Sequence, residues 1–334
     1  MTNRERFLSV LNFKKPTDRL PVIEWADWWL ETINRWHKEG LSKDLSIPYG
    51  VSDYLGLDKL RQMWLVATTD KTPLHPDSHD CYHLIIKNEA DYDNIKHTLY
   101  SLDNINTNIL KSWAKEQREG NIAVWITLEG FFWFPRRLFG VTEHFLAFYD
   151  YPDLMKRICD DLLEYNLKVF DLVSDYLIPD FMSVAEDMSY NHGAMCSKSQ
   201  FDEFIAPYYS KLMPVIKSKG TIPFVDSDGD VTDLISWMME VGVEGFLPLE
   251  RMAGVDISKL RELYPKLKMI GAFDKTIMHL GEEAIRKEFE RIMPVMKQGG
   301  YIPSCDHQTP PQVSMGDYYL YMKLLKEYCE KAVK

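Results

Sequence analysis

Acidic side chains and one histidine follow short apolar runs at seven places along the chain. These residues are Glu24, Glu129, Glu186 with Asp187, Asp226 with Asp228, Glu250, Asp274, and Asp306 with His307. The apolar runs have the length of buried strands and alternate with helical patterns. In a barrel of parallel strands, the C-terminal strand ends meet at one mouth, where active sites are built. We therefore expect these groups to converge on one cavity, which indicates an enzyme.

The segment VDSDGD at 225–230 places Asp226 and Asp228 two residues apart, just past a predicted strand. Because side chains alternate along a strand, both carboxylates are expected to face the mouth. Two carboxylates close together raise the pKa of one of them or bind a cation. The alternative interpretation of Asp228 and Asp230 is a cap on the helix that follows.

General acid–base chemistry and metal binding are the two roles predicted for these groups, because carboxylate and imidazole serve in both. A salt bridge to a nearby arginine is the alternative for any one acid, and a structural role is the alternative for a lone histidine. The predicted catalytic residues are Glu186, Asp187, Asp228, Glu250 and His307, and the predicted metal ligands are Asp226, Asp228, Glu250 and His307.

Aromatic residues cluster in EWADWW at 24–29 and LEGFFWF at 128–134, each at or after a predicted strand. They suit the walls of a pocket for a flat or apolar ligand, and core packing is the alternative. Arg136 and Arg137 form a cationic pair suited to a carboxylate or a phosphate. The predicted substrate-binding residues are Trp25, Trp29, Trp125, Trp133, Arg136, Asn191 and His192.

The composition favours an ordinary globular protein. The chain has 334 residues, 46% of them hydrophobic, and a net charge of −11, so it offers no basic surplus for nucleic acid or an anionic membrane. The N-terminus lacks the apolar core of a signal peptide, and no long apolar run follows, so a cytoplasmic location is expected. The five cysteines are scattered without a CxxC pair, which favours reduced thiols. Cys305, next to Asp306 and close to His307, is the only cysteine we keep as a site candidate.

Helices and strands alternate without interruption in the second half of the chain. Apolar residues recur at steps of three or four through 153–177, and FMSVA follows as a strand. A helix is predicted from Ser197 or Ser199 to Gly220, and strand–helix alternation continues to residue 334. This order implies βαβ units and a parallel sheet.

The first half is less regular. Strands are predicted at 20–25, 63–68, 81–87 and 122–128, and the segments 26–60 and 88–120 are typical of insertions. Without a linker or low-complexity stretch, residues 1–334 are predicted to form a single domain. The sequence therefore predicts an α/β fold, namely a (β/α)8 TIM barrel with insertions in its N-terminal half. A doubly wound sheet is the alternative.

Five segments in order resemble the uroporphyrinogen decarboxylase superfamily and together span nearly the whole chain. They are NRERFLSVLNFKKPTDRLPV, LFGVTEHFLAFYDYPDLMKRI, SKSQFDEFIAPYYSKL, IGAFDK and GGYIPSCDHQTPPQVS. The resemblance implies a (β/α)8 barrel with its active site at the C-terminal mouth. It also implies one of two chemistries: decarboxylation of a tetrapyrrole, or methyl transfer involving a corrinoid protein or a thiol.

Departures from the decarboxylase pattern favour the second chemistry. His307 matches the histidine of the decarboxylases' C-terminal segment, and Asp187 falls near their catalytic aspartate. However, EWADWWLETINR at 24–35 replaces the arginine-bearing segment that grips substrate carboxylates. A polyanionic substrate would meet Glu24 and Asp27 there, so tetrapyrrole decarboxylation is not expected.

The zinc pattern of the thiol-activating methyltransferases is also altered. Asp226-Ser227-Asp228 stands at the place of their His-x-Cys, and their later cysteine falls near Cys305. Replacing thiolate by carboxylate weakens the case for a thiolate-rich zinc site and leaves a harder oxygen and nitrogen site, with Zn²⁺ as the candidate ion.

The sequence therefore predicts a corrinoid (cobalamin)-dependent methyltransferase. Its donor would be a small O- or N-methylated compound, such as a methoxyaromatic, and its acceptor a corrinoid supplied by a partner protein. A decarboxylase or lyase acting on a small carboxylic acid, with Arg136 and Arg137 as the clamp, is one alternative. A non-catalytic ligand-binding barrel is the other. A homodimer is expected by analogy with the family.

Overall fold

A parallel sheet of seven strands in a half-barrel is the centre of the structure, a computed structural model that describes residues 1–73 and 86–334. A separate two-stranded antiparallel hairpin, β4–β5, follows the third strand of the sheet. The strands are β1 (Leu60–Leu65), β2 (Ala123–Glu129), β3 (Phe181–Ala185), β4 (Ser189–Tyr190), β5 (Gly193–Ala194), β6 (Ile222–Asp226), β7 (Gly245–Leu247), β8 (Lys268–Phe273) and β9 (Tyr301–Cys305).

The strand order is β1-β2-β3-β6-β7-β8-β9, and each strand of this sheet pairs with its neighbours in parallel. Strand order in a doubly wound sheet reverses at a switch point, and here it does not, so that alternative is wrong. The register pairs Ala185 of β3 with Asp226 of β6. Residues just past these two strand ends therefore lie side by side.

Helices connect the strands and cover the sheet. The helices among the described residues are α1 (Asn3–Leu11), α2 (Leu30–Lys38), α3 (Tyr49–Leu55), α4 (Glu89–Lys96), α5 (Thr107–Arg118), α6 (Trp133–Phe139), α7 (Val141–Asp150), α8 (Pro152–Ser174), α9 (Lys198–Phe204), α10 (Ala206–Ser218), α11 (Thr232–Glu240), α12 (Ile257–Leu263), a 3-10 helix (Lys275–Leu280), α13 (Glu282–Met296) and α14 (Met315–Lys331). No helix in this part of the chain is both long enough and apolar enough to cross a membrane.

The periodic pattern predicted at 153–177 is confirmed as α8, whose apolar face is buried. The prediction of a single helix from Ser197 to Gly220 is wrong in one respect. The structure has two helices there, α9 and α10, which are separated at Ile205. Pro207 lies in the first turn of α10, where its missing N–H is tolerated, but it cannot continue a preceding helix. Ser197 caps α9, as predicted.

The predicted strand at 20–25 is not a regular strand, although the segment lies between β9 and β1. Single hydrogen bonds hold it, with no ladder of strand pairing among the described residues. Asp58 donates its backbone N–H to Val22 O (2.8 Å), and Trp25 donates its own to Ser304 Oγ (3.2 Å). The strand predicted at 63–68 begins earlier, at Leu60. The strand predicted at 81–87 falls mainly on residues outside the described ones.

Gly271 in β8 is where two backbone segments approach each other most tightly near the mouth. It has φ +104°, and a Cβ there would lie 2.1 Å from Pro248 O. Ala272 donates its backbone N–H to the same carbonyl (3.0 Å). The close approach fixes the segment that leads from Pro248 to Glu250.

Replacing Gly271 by Ala is expected to destabilise the fold by about 4 kcal/mol, because a backbone carbonyl cannot move aside and the residue keeps a left-handed conformation. Urea unfolding measures the effect. Gly40→Ala is the matched control, since Gly40 has φ +114° with open space around it. Its expected cost is about 1 kcal/mol from backbone strain alone. Equal costs for the two variants would show that the contact with Pro248 is unimportant.

Candidate active site

A cavity of about 270 Å³ opens where the strands end. Its walls combine acids, tryptophans and small or amide side chains from β1, β2, β3, β6 and the segments around them. The lining residues are Trp25, Ala26, Asp27, Gln62, Trp64, Trp125, Trp133, Ala185, Asp187, Asp226, Asp228, His307 and Gln308. Convergence of polar groups at the strand ends, predicted from the sequence, is confirmed for Asp187, Asp226, Asp228 and His307.

Asp187, Asp228 and His307 form the polar centre of the cavity. His307 Nε2 lies 3.3 Å from Asp228 Oδ2. The backbone N–H of Asp228 donates to Asp187 Oδ1 (3.3 Å). The pairing of β3 with β6 brings the two aspartates together, and the end of β9 supplies the histidine.

Asp187 is held in an uncommon conformation. Its φ of 40° lies in the left-handed region, which aspartate adopts more readily than most residues. Arg136 fixes it by donating from Nη1 to the Asp187 carbonyl (2.8 Å), while Nη2 lies 3.8 Å from Oδ2. Burial, together with the charge of Asp228, raises the pKa of Asp187 to about 6 despite the opposing effects of Arg136 and His307.

Asp226 and Asp27 are also acids with raised pKa values. Burial, followed by the charges of Asp187 and Asp228, holds the pKa of Asp226 well above its usual range. Its carboxylate has no hydrogen-bond partner among the described residues. Burial raises the pKa of Asp27 to about 6. Near neutral pH Asp27 and Asp187 are therefore largely ionised, whereas Asp226 holds its proton to a higher pH than an ordinary aspartate does.

For His307, burial and the neighbouring carboxylate shift the pKa in opposite directions. Burial alone would lower the pKa of His307, but the hydrogen bond and the charge of Asp228 outweigh it, so the pKa is raised. The imidazole therefore keeps its proton to higher pH than a free histidine does. Its ring packs edge-on against Trp25, with 6.0 Å between the ring centroids.

Tryptophans form the other walls of the cavity. Trp125 stacks on Phe181 with a centroid distance of 5.2 Å and donates Nε1–H to Ser183 Oγ (2.9 Å). Trp25 packs against Trp125 at 6.4 Å and donates Nε1–H to Cys305 O (2.7 Å). Trp133 lies beneath Arg136, whose guanidinium carbon is 4.6 Å from its ring centroid. The predicted substrate-wall residues Trp25, Trp125 and Trp133 all line the cavity.

Glu186 does not line the cavity, although we predicted a catalytic role for it. Its carboxylate is buried and accepts the backbone N–H groups of Phe131 (2.9 Å), Phe132 (2.8 Å) and Trp133 (3.2 Å). It also accepts the Tyr209 hydroxyl (2.7 Å). Glu186 therefore binds the N-terminus of α6 and positions Trp133, and its acceptor sites are not available to a substrate.

Glu250 also lies outside the cavity lining. Its carboxylate accepts the backbone N–H of Gly229 (2.9 Å) and lies 3.5 Å from Lys275 Nζ. The same ammonium is 3.3 Å from Asp306, which is fully buried. Glu250 thus fixes the loop that carries Asp228, and this placement disfavours the predicted acid–base role.

The predicted metal ligands Asp226, Asp228, Glu250 and His307 are not assembled into a binding site. Within residues 1–73 and 86–334, no group of three or more histidine, cysteine, aspartate or glutamate side chains is arranged to hold a metal ion. Glu250 is engaged by Gly229 and Lys275, and the His307 imidazole faces Asp228. The donor set therefore does not fit Zn²⁺, and no chemistry is derived through it.

Four predicted substrate-binding residues do not line the cavity. Arg136 lies behind Asp187 and engages it, as described above. Trp29 is 46% exposed at the N-terminus of α2. Asn191 and His192 occupy the exposed turn between β4 and β5, because a short hairpin turns them away from the strand ends.

Arg137, the other half of the predicted carboxylate clamp, pairs with buried Glu129. Cys305, our cysteine site candidate, is buried with its Sγ 4.0 Å from Thr309 Oγ1. It does not line the cavity. Burial raises the pKa of its thiol well above the usual range, so it is not a reactive thiolate.

Gln62, Trp64, Asp27 and Gln308 line the cavity but were not predicted as site residues. Gln62 donates from Nε2 to Thr127 Oγ1 (2.8 Å), and Trp64 is 51% exposed at the rim. Both belong to β1, and their spacing of two residues is the alternation that puts side chains on one face of a strand. Because the strand was predicted to start at residue 63, Gln62 fell outside it and the alternation of Gln62 with Trp64 was not recognised.

Replacing Asp187 by Asn is expected to stabilise the fold at about pH 8 by about 1 kcal/mol, after allowance for the 36% exposure of its side chain. The folded-state pKa of about 6 lies above the ordinary 3.8, so the native state binds the extra proton and stability is lost as the pH rises through this window. Urea unfolding at several pH values should show the advantage of the variant shrinking as pH falls toward 4.

Asp103→Asn is the control, because Asp103 is exposed in a loop. Its unfolding free energy should follow that of the parent at each pH. An Asp187→Asn variant less stable than the parent at pH 8 would show that the ion pair with Arg136 outweighs the cost of burial.

Comparison with known proteins identifies the family. The sequence profile of the uroporphyrinogen decarboxylase (URO-D) family matches residues 137–328. No match is found among curated proteins. Among solved structures, a methyltransferase from Methanosarcina mazei is similar with a TM-score of 0.67 and 15% identity, covering 98% of this chain and 99% of that chain.

A putative vitamin-B12 independent methionine synthase from Listeria monocytogenes is a more distant neighbour. It has a TM-score of 0.43 and 11% identity, covering 96% of this chain and 97% of that chain. The family profile covers more than half of the present chain. The protein therefore belongs to the uroporphyrinogen decarboxylase family.

Proposed function

We propose that this protein is a methyltransferase that moves a methyl group from a small O- or N-methylated donor to a corrinoid carried by a partner protein. The observation that carries the proposal is the cavity itself, which combines tryptophan walls with carboxyl groups and a histidine. Similarity in fold to the Methanosarcina methyltransferase supports the same reaction type.

The size of the cavity favours a small donor. Its volume of about 270 Å³ lies below the roughly 300–1,000 Å³ typical of sites for drug-sized ligands. A tetrapyrrole does not fit such a space. Trp64 at the rim is half-exposed, so the cavity is open on the side of β1, where a partner protein could present its corrinoid.

The acids match the chemistry of an O-methyl donor. When the methyl group departs, an electron pair stays on the oxygen, and an alkoxide is a poor leaving group unless it receives a proton. His307, whose pKa is raised by Asp228, and Asp226, whose pKa is raised by burial, are the groups in the cavity suited to hold such a proton. Our proposal needs no metal ion for this step.

A decarboxylase acting on a small carboxylic acid is disfavoured by charge. Among the described residues, no lysine or arginine lines the cavity, and four aspartates do. Arg136 and Arg137, the clamp of that alternative, are engaged with Asp187 and Glu129. A non-catalytic barrel is disfavoured too, because a closed mouth with every acid paired to an arginine would favour it, whereas the mouth here holds a cavity and Asp226 pairs with no arginine among the described residues.

We also propose that the sheet closes into a (β/α)8 barrel within one domain, with residues 20–25 in the place of the first strand. Contacts at both edges support this: Val22 accepts from Asp58 next to β1, and Glu24 Oε1 accepts from Ser304 Oγ in β9 (2.8 Å). The homodimer expected from the family resemblance stays a prediction.

Replacing Asp228 by Asn is expected to lower methyl transfer about 100-fold, because it removes a cavity carboxylate and the partner that keeps His307 protonated. The measurement is the rate of methylcobalamin formation from cob(I)alamin. It should be run with methoxyaromatic and methylamine-type donors, first on the parent protein to identify the donor class.

Asp230→Asn is the matched control, two residues further along the same loop. Asp230 does not line the cavity, and its Oδ1 accepts the Thr232 N–H, a bond that asparagine can also accept. Its rate should stay within about two-fold of the parent. Absence of methyl transfer from every donor class to cob(I)alamin would contradict the proposal.

A further inference from the structure

The charge inside the cavity is unbalanced in one direction. Asp27, Asp187, Asp226 and Asp228 line it, and His307 is the one basic side chain among the lining residues that the structure describes. The Lys275 ammonium lies between Glu250 and Asp306 and does not line the cavity. Asp228 and His307 neutralise each other, so the remaining acids determine the charge that a ligand meets.

Two of the remaining acids, Asp27 and Asp187, are largely ionised near neutral pH. The pKa of Asp27 and that of Asp187 are both about 6, so each carboxyl has mostly lost its proton at pH 7. Burial raises the pKa of Asp226 well above its usual range, and its carboxyl faces the cavity without a hydrogen-bond partner in the described part of the chain. The cavity therefore presents the charge of Asp27, which has no cationic partner among the described residues, and that of Asp187, which Arg136 balances only in part from behind, with Nη2 3.8 Å from Oδ2.

Aromatic rings surround this negative charge. Trp25, Trp64, Trp125 and Trp133 all line the same space. A ring face attracts a cation, and the attraction is strongest for tryptophan and in a site shielded from water. Walls of tryptophan combined with an excess of carboxylates are suited to quaternary and methylated ammonium groups, which carry charge without strong hydrogen-bond donors.

We infer that the ligand of this cavity is a methylated ammonium cation, with its N-methyl groups against the tryptophans and its positive charge facing Asp27 and Asp187. The inference rests on the proposed function for the reaction, but it makes a separate statement about the ligand. It selects N-methyl cations over the neutral methyl ethers that the proposed function also allows.

A donor of this class changes the role of the acids. The N–CH₃ bond breaks with its electron pair staying on nitrogen, which leaves as a neutral amine and needs no proton. The methyl carbon accepts an electron pair from the reduced cobalt of the partner's corrinoid, whose formal oxidation state rises by two. No other oxidant or reductant is needed. The carboxylates then serve to bind the cation, and the protonated His307 opposes that binding.

The first test compares choline with 3,3-dimethylbutan-1-ol, in which a carbon atom replaces the charged nitrogen at nearly the same shape. Isothermal titration calorimetry at about pH 7 measures both affinities, with guaiacol as a neutral methoxyaromatic probe. Choline is expected to bind at least about ten-fold more tightly than either neutral compound. Equal or weaker binding of choline would overturn the inference.

Charge variants should act with opposite signs. Asp27→Asn removes a cavity carboxylate that makes no hydrogen bond among the described residues, so the fold should tolerate it, and choline binding should weaken about five-fold. His307→Gln removes the opposing positive charge and frees Asp228, so choline binding should strengthen about three-fold. Asp103→Asn, in an exposed loop that does not line the cavity, should leave the affinity unchanged. If the two cavity variants change choline affinity in the same direction, the inference is wrong.

Tryptophan at the rim gives an independent readout. Trp64→Leu should weaken choline binding, and Trp64→Phe should restore part of it, because phenylalanine keeps an aromatic face. Equal affinity for the two variants would count against the aromatic contact.

Methyl transfer separates this inference from the proposed function. Methylcobalamin formed from guaiacol, without a binding preference for choline, would uphold the methyltransferase and overturn the cationic donor. A clear preference for choline, without methyl transfer from any donor, would uphold the cation site and overturn the methyltransferase.

Discussion

An excess of carboxylates over cations at the strand ends is the constraint on which this site depends. The parallel sheet directs Asp226 and the residues after β3 to the same edge, since Ala185 and Asp226 are paired in register. Burial there penalises ionisation, so the pKa values of Asp187 and Asp226 rise. A folded protein tolerates such a cost where a ligand or a reaction uses it.

Buried acids that do not line the cavity accept hydrogen bonds from several donors. Glu186 receives three backbone N–H groups and a tyrosine hydroxyl, and Asp306 receives two backbone N–H groups and the Lys275 ammonium. Glu129 has Arg137 and the backbone N–H of Ala67. These carboxylates each have several donors, whereas Asp226 has none among the described residues. The number of donors therefore separates Asp226, which faces the cavity, from these acids that support the structure.

Strand alternation explains which part of the site could be predicted from the sequence. Asp226 and Asp228 were expected on one face because they are two residues apart, and both line the cavity. The same rule separates Glu186 from Asp187. Ala185 and Asp187 line the cavity, and the residue between them points to the N-terminus of α6. The apolar run before Glu186 marked the strand end, but it did not reveal which of two adjacent acids faces inward.

Two features of the site depend on tertiary contacts and could not be predicted from the sequence pattern: the conformation of residues 20–25 and the role of Arg136. The strand pattern at residues 20–25 was visible, yet the segment is held by single bonds such as Trp25 N–H to Ser304 Oγ and not by a regular ladder. Arg136 looked like a substrate clamp, because two adjacent arginines near a strand end suit an anion. Its guanidinium is instead used to hold Asp187 in the left-handed conformation. Neither outcome depends on local propensity, so no single-sequence rule could have supplied it.

The two sides of the cavity are consequently built in different ways. Asp187 and Asp228 follow strands that are paired along most of their length, and Arg136 and Glu250 fix the loops that carry them. Trp25 and Asp27 follow a segment that is held mainly by side-chain contacts. Sites on regular elements keep a tighter geometry than sites on loops. The charged groups of the cavity thus depend on strand pairing for their position, whereas the side carrying Trp25 depends on side-chain contacts such as the Trp25 Nε1–H bond to Cys305 O.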